Sequence, residues 1–108
     1  MGYACRVSCT PIACSLAAPD TDARVEEWRQ LLNGQVLEVE RIDGTARLRL
    51  RDGDAAVLTA TDLARREKAC CPFFDFRLAL LAEATWLEIE APAEAASILD
   101  GLVDLRRD

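Results

Sequence analysis

The chemistry open to this chain is concentrated in one hexapeptide, Glu67-Lys68-Ala69-Cys70-Cys71-Pro72. Adjacent cysteines on a helix point about 100° apart, so they do not readily bond to each other while the helix holds. Pro72 stops that helix, because the residue before a proline avoids helical geometry. A loosened last turn would let both sulfurs face one bound ion. Glu67 stands three and four residues before the two thiols and so lies over them on the helix surface. Two thiols with a carboxylate suit a soft cation such as mercuric, cuprous or zinc ion, or a proton relay beside a nucleophilic sulfur. Cysteine also serves as a small buried apolar filler, and that plainer reading stays open for each of them.

Three further cysteines could join the site. Cys14 falls in Pro11-Ile12-Ala13-Cys14-Ser15-Leu16, a strand pattern that puts Ile12, Cys14 and Leu16 on one face. That face should lie under the helix ending at Cys70, which brings Cys14 toward Cys70 or Cys71. The candidate metal ligands are therefore Cys14, Glu67, Cys70 and Cys71. Cys5 and Cys9, four apart in a loose arm over residues 1–9, form a second thiol pair or stand as incidental surface thiols. Glu67 or Asp75 would move the proton if one cysteine acted as a nucleophile. Glu67 also reads as a surface charge, flanked as it is by Arg65, Arg66 and Lys68. Its place on the stripe of Leu63 argues for burial.

Composition narrows the partners. The 108 residues suit one domain with its own core, and 51% of them are hydrophobic. The net charge is −6, with the acid spread along the chain. Nucleic acid and anionic membrane surfaces both need a basic face and are disfavoured. No apolar run approaches the roughly 20 residues of a spanning helix. Residues 1–16 make a poor export leader, interrupted by Arg6, Ser8, Thr10 and Pro11. A cytoplasmic location with reduced thiols follows as the expectation for five cysteines, an odd number. The absence of histidine removes the commonest general base and the commonest metal ligand. Any metal site must therefore be built from sulfur and carboxylate.

The elements that must position these residues follow the order βαββαββα. Asp20-Thr21-Asp22 offers capping oxygens to a helix carrying Val25, Trp28 and Leu32, and Asn33-Gly34 ends it. Asp43-Gly44 is a hairpin turn. Pairing Ile42 with Thr45 sets Val39 opposite Leu48 and Leu37 opposite Leu50, with Glu40 facing Arg47 and Glu38 facing Arg49 on the other side. A helix runs from about Ala55 to Cys70. A turn at Glu83-Ala84 would pair Leu80 with Leu87, Leu78 with Ile89 and Arg77 with Glu90. The last helix starts near Pro92, with Ala95, Ile98, Leu99, Leu102 and Val103 as its apolar stripe. The pattern predicts an α+β fold, a ferredoxin-like variant with one mostly antiparallel sheet and its helices on a single face. Trp86 and Leu81 on the outer sheet face suggest a homodimer contact.

The segment Arg65-Arg66-Glu67-Lys68-Ala69-Cys70-Cys71-Pro72-Phe73-Phe74-Asp75-Phe76, followed by Trp86-Leu87-Glu88-Ile89-Glu90-Ala91-Pro92, resembles a family of small, mostly uncharacterised proteins of high-GC actinobacteria. It is also similar to tail domains fused to MerR-type metal-responsive regulators. The resemblance covers roughly residues 12 to 105, and its distinctive core is Glu-x-x-Cys-Cys-Pro-Phe-Phe. It implies association with soft-metal or thiol-reactive stress, including mercury. Cys5 and Cys9 lie outside that pattern. Three functional readings result. One is a binding protein that holds a soft ion. Another is a small thiol enzyme that cleaves a metal–carbon or thioester-like bond in a small molecule. The third is a sensing or interaction module with no bound ion.

Overall fold

The computed structural model describes residues 18–106, with side chains from residue 22 onward. The expected strand at 11–16 and the arm at 1–9 lie outside them. The first helix, α1, is Ala18–Gly34. It begins before Asp20, so the backbone of Asp20 is helical rather than a cap, and Asp22 adds negative charge to the helix's first turns, where it suits the dipole. Strands β1 (Val36–Ile42) and β2 (Thr45–Leu50) follow, then α2 (Asp54–Cys70), β3 (Asp75–Leu80) and β4 (Thr85–Glu90). A short 3-10 turn (Ala93–Ala95) leads into α3 (Ala96–Val103).

The strands form one antiparallel sheet in the order β1-β2-β4-β3. Alternation puts Ala46, Leu48, Leu50, Leu87 and Ile89 on one face, and all five are buried. Trp28, Leu31 and Leu32 of α1, Ala60 and Leu63 of α2, and Leu99 and Leu102 of α3 complete the same core cluster. Three helices thus cover one face, as the amphipathic strands require. The opposite face carries ion pairs, with Arg47 between Glu40 and Glu88, and Arg77 beside Glu88 and Glu90.

The first hairpin has the expected register through Ile42 with Thr45, Glu40 with Arg47 and Glu38 with Arg49. A bulge between Val36 and Glu38 then sets Val36, not Leu37, opposite Leu50. Asp43 takes a φ of 47° at the turn. At Gly44 a Cβ would come within 2.8 Å of the Ala91 carbonyl oxygen, and Ala91 N–H donates to the Gly44 carbonyl. Only glycine fits that approach.

The second hairpin departs from the expectation by two residues of register. Leu81 N–H donates to Ala84 O, so the turn sits at Ala82-Glu83, and Leu80 pairs with Thr85, Leu78 with Leu87 and Phe76 with Ile89. A turn moved by one residue slides the pairing by two, and the inward face is preserved. That face, not the weak Glu83-Ala84 signal, fixed the register. Trp86 therefore faces Ala79 rather than Leu81. It is 8% exposed, with the Arg47 guanidinium 4.1 Å from its ring centroid. It is a covered side chain within the charged network and offers no free aromatic surface for a dimer.

Candidate metal centre

The site is assembled at the C-terminal end of α2. Helical spacing places Ala56, Ala60, Leu63, Ala64, Glu67 and Cys70 on its buried side. Cys71 leaves the helix at φ −126° and ψ 82°, while its N–H still donates to Glu67 O at 2.7 Å. Pro72 imposes that departure. It also swings the Cys71 side chain away from the direction a continued helix would give it. The two sulfurs come to rest 3.9 Å apart.

The turn that follows is pinned from both sides. Lys68 Nζ donates to Pro72 O at 2.9 Å and to Phe74 O at 3.0 Å, and Phe74 N–H donates to Cys71 O. Phe74 is fully buried and meets Phe73 edge-on at a centroid distance of 4.8 Å. The Pro-Phe-Phe run thus anchors the backbone that carries Cys71.

Glu67 is not a surface charge. Its relative exposure is 0%, although Arg65, Arg66 and Lys68 around it are solvated to different degrees. Its Oε1 accepts from Arg24 Nη1 at 3.0 Å and from Trp28 Nε1 at 3.1 Å. Its Oε2 is buried and has no hydrogen-bond partner among the described residues. Burial pushes the Glu67 carboxyl above its ordinary range, against the pull of the Trp28 and Arg24 hydrogen bonds. Arg66 ties α2 to α1 through Glu27 and is itself braced within α2 by Asp62.

One ligand atom from each of Glu67, Cys70 and Cys71 lies within 4.8 Å of the others, and all three residues are buried. The structure therefore brings together three of the four expected metal ligands. The fourth, Cys14, lies outside the described residues, as do Cys5 and Cys9. Asp75 is elsewhere. Its carboxylate is mostly exposed and 3.7 Å from Lys68 Nζ.

The expectation of wholly reduced thiols does not hold at Cys71, whose sulfur is in a disulfide. Its bonding partner lies outside the described residues. Cys70 retains a thiol.

Sequence reasoning missed Arg24 and Trp28 as the partners of Glu67. The signal was present in part, since Trp28 lies on the apolar stripe of α1 and a buried indole needs an acceptor. Arg24 stands one turn before Trp28 on the same side of the helix.

No family model matches the chain, and no curated protein or solved structure matches it.

Proposed function

We propose that the protein binds a soft cation, mercuric, cuprous or zinc, through Cys70 and Cys71 thiolates with the Glu67 carboxylate as third ligand. The observation that carries this reading is the unpartnered Oε2 of a fully buried Glu67 beside two sulfurs. A metal–sulfur distance of about 2.3 Å and the 3.9 Å sulfur separation together give an S–metal–S angle of about 116°. That angle suits three- or four-coordinate binding. Thiolate ligands select soft ions over magnesium or calcium. The resemblance to tail domains of metal-responsive regulators points the same way. Cys71 must first be released from its disulfide by a thiol reductant, a condition that a reducing cytoplasm supplies.

The test is titration of fully reduced protein with a mercuric or cuprous salt under a competing thiol. Wild type should outcompete Cys70→Ser/Cys71→Ser, with both variants verified as folded by circular dichroism. Glu67→Gln should bind more weakly than wild type while retaining sulfur ligation. Equal affinity in wild type and the double serine variant removes the metal reading.

The Cys71 disulfide favours a second reading, in which the same sulfurs exchange. The Cys70 thiolate attacks Cys71 sulfur and forms a Cys70–Cys71 bond as the existing bond breaks. The electron pair leaves on the released sulfur, which takes up the proton that Cys70 gave up. Mass mapping of alkylated protein across redox buffers separates the two readings, because exchange yields a Cys70–Cys71 disulfide and metal binding does not.

A further inference from the structure

The two edges of the sheet are protected unequally. Strand β1 carries the bulge at Val36/Glu38 and the charges Glu38, Glu40 and Arg41. Bulges and charges are the usual guards against edge-to-edge pairing. Strand β3 has neither bulge nor proline, and its later half reads Leu78-Ala79-Leu80-Leu81. Leu78, Leu80 and Leu81 are exposed, Leu80 at 67%, and so is Leu58 on α2. Among the described residues β3 pairs with β4 alone. Beside it, α2 and β3 enclose a cavity of about 420 Å³, lined by Thr61, Ala64, Arg65, Lys68, Phe76 and Leu78 among others.

We infer that β3 is a dimerisation edge and that its occupant is β3 of a second copy, running antiparallel. The strand's own sequence disfavours some registers and fits others. Residues directly opposite must lie on the same face, which leaves two-fold axes centred on a residue. An axis at Arg77 sets two arginines against each other. An axis at Phe76 requires Pro72 and the fully buried Phe74 to pair, and both belong to the turn after Cys71. An axis at Leu78 places Leu78 against its counterpart, Phe76 against the partner's Leu80, and Arg77 against the partner's Ala79. No like charges meet, and the small alanine leaves room for the arginine. The partner's Leu80 arrives over Phe76, at the mouth of the cavity between α2 and β3. Leu78 and Leu80 of both copies then form one stripe on the helix side, and the sheet becomes eight-stranded.

The outer sheet face carries ion pairs and a covered Trp86, so the contact is placed at the edge instead. The experiment is sedimentation velocity on the full chain from roughly 10 μM to 1 mM, combined with amide hydrogen exchange over β3. A reversible dimer is expected, with β3 protection rising with concentration. Leu80→Glu changes an exposed side chain and leaves the fold intact. It should weaken association by at least about tenfold. Ile42→Glu, at the exposed end of β1, should leave association unchanged. A monomer at all concentrations overturns the inference. A monomer whose β3 amides are protected at every dilution would show that the chain's own remainder occupies the edge, which also overturns it. Equal weakening by Leu80→Glu and Ile42→Glu would show non-specific association and reject the register.

Discussion

Replacing Arg24 by methionine tests whether Glu67 is held as an ion. Arg24 Nη1 is 3.0 Å from Glu67 Oε1, with side-chain exposures of 9% and 0%. Removing one member of a buried ion pair costs about 3–5 kcal/mol when the other must stay charged. Glu67 has an escape, because it can take a proton. In the unfolded chain its carboxyl titrates near the ordinary value of 4.5. Protonating it in the fold at pH 7 then costs about 2.5 pH units at about 1.4 kcal/mol each, or about 3.4 kcal/mol. The charge part of the Arg24→Met deficit at pH 7 should therefore stay below about 3.4 kcal/mol in metal-free protein, because wild type already carries a raised Glu67.

The pH dependence follows with a definite sign. In Arg24→Met the folded carboxyl lies further above its unfolded value than in wild type, so the folded state holds the extra proton. The variant's deficit is then absent below wild type's own raised folded value and grows as pH rises from there toward the variant's folded value. Urea unfolding at pH 5, 6 and 7 should show a deficit that grows with pH, by at most about 1.4 kcal/mol per unit. Arg24→Met/Glu67→Gln should remove the slope. A deficit that is the same at pH 5 and pH 7 would refute the reasoning, since it would mean that Arg24 contributes packing and no charge compensation.

Other outcomes follow from single contacts. Trp28→Phe keeps the packing but removes the indole donor to Glu67 Oε1; a loss of about 1.5–3 kcal/mol is expected by urea unfolding. Gly44→Ala forces a Cβ against the Ala91 carbonyl and should lower the thermal midpoint by several degrees, about 4–8 °C per kcal/mol lost. Asp62 is held below its ordinary 3.8 first by the Arg65 hydrogen bond and further by Arg66. Its contribution is present above that pH and lost as pH falls through its lowered value, so Asp62→Asn and wild type should converge in stability in acid-melt series.

The fold was legible wherever two constraints agreed. The first hairpin carried a turn signal at Asp43-Gly44 and matched charges across both faces, and only the bulge at Val36 escaped, because no residue there announces it. The second hairpin had an alternating face but an ambiguous turn, and alternation cannot separate registers two residues apart. At the site, the spacing of Glu67, Cys70 and Cys71 and the stop at Pro72 were readable because they are local. The burial of Glu67 was signalled by its position on the Leu63 stripe and contradicted by its charged neighbours. Its partners Arg24 and Trp28 were not readable, because they come from another helix 43 and 39 residues away. Helix-to-helix contact depends on packing angle, which sequence periodicity does not encode.

The arrangement around Glu67 is difficult to explain as architecture. A buried carboxylate with its arginine is often no more stabilising than apolar residues of the same volume. Here even the hydrogen bonding is incomplete, with Oε1 accepting two donors and Oε2 none. A leucine at 67 would continue the run of Ala60, Leu63 and Ala64, without the desolvation that raises the carboxyl's pKa. The surrounding sequence spends three elements on holding this group in place. Arg24 and Trp28 fix one oxygen, the Arg66 clamp fixes α1 against α2, and Lys68 ties down the turn that presents Cys71. These contacts fix the carboxylate, one of whose oxygens lies within 4.8 Å of the two sulfurs. Such preorganisation lowers the reorganisation a ligand must impose, at a cost to the free protein. A cation bound there would supply the missing partner. Stability and binding should therefore move in opposite directions at this position: Glu67→Leu should raise the unfolding midpoint of the reduced, metal-free protein and abolish its advantage in metal competition. A variant that gained stability and kept full affinity would show that the carboxylate is no part of the site.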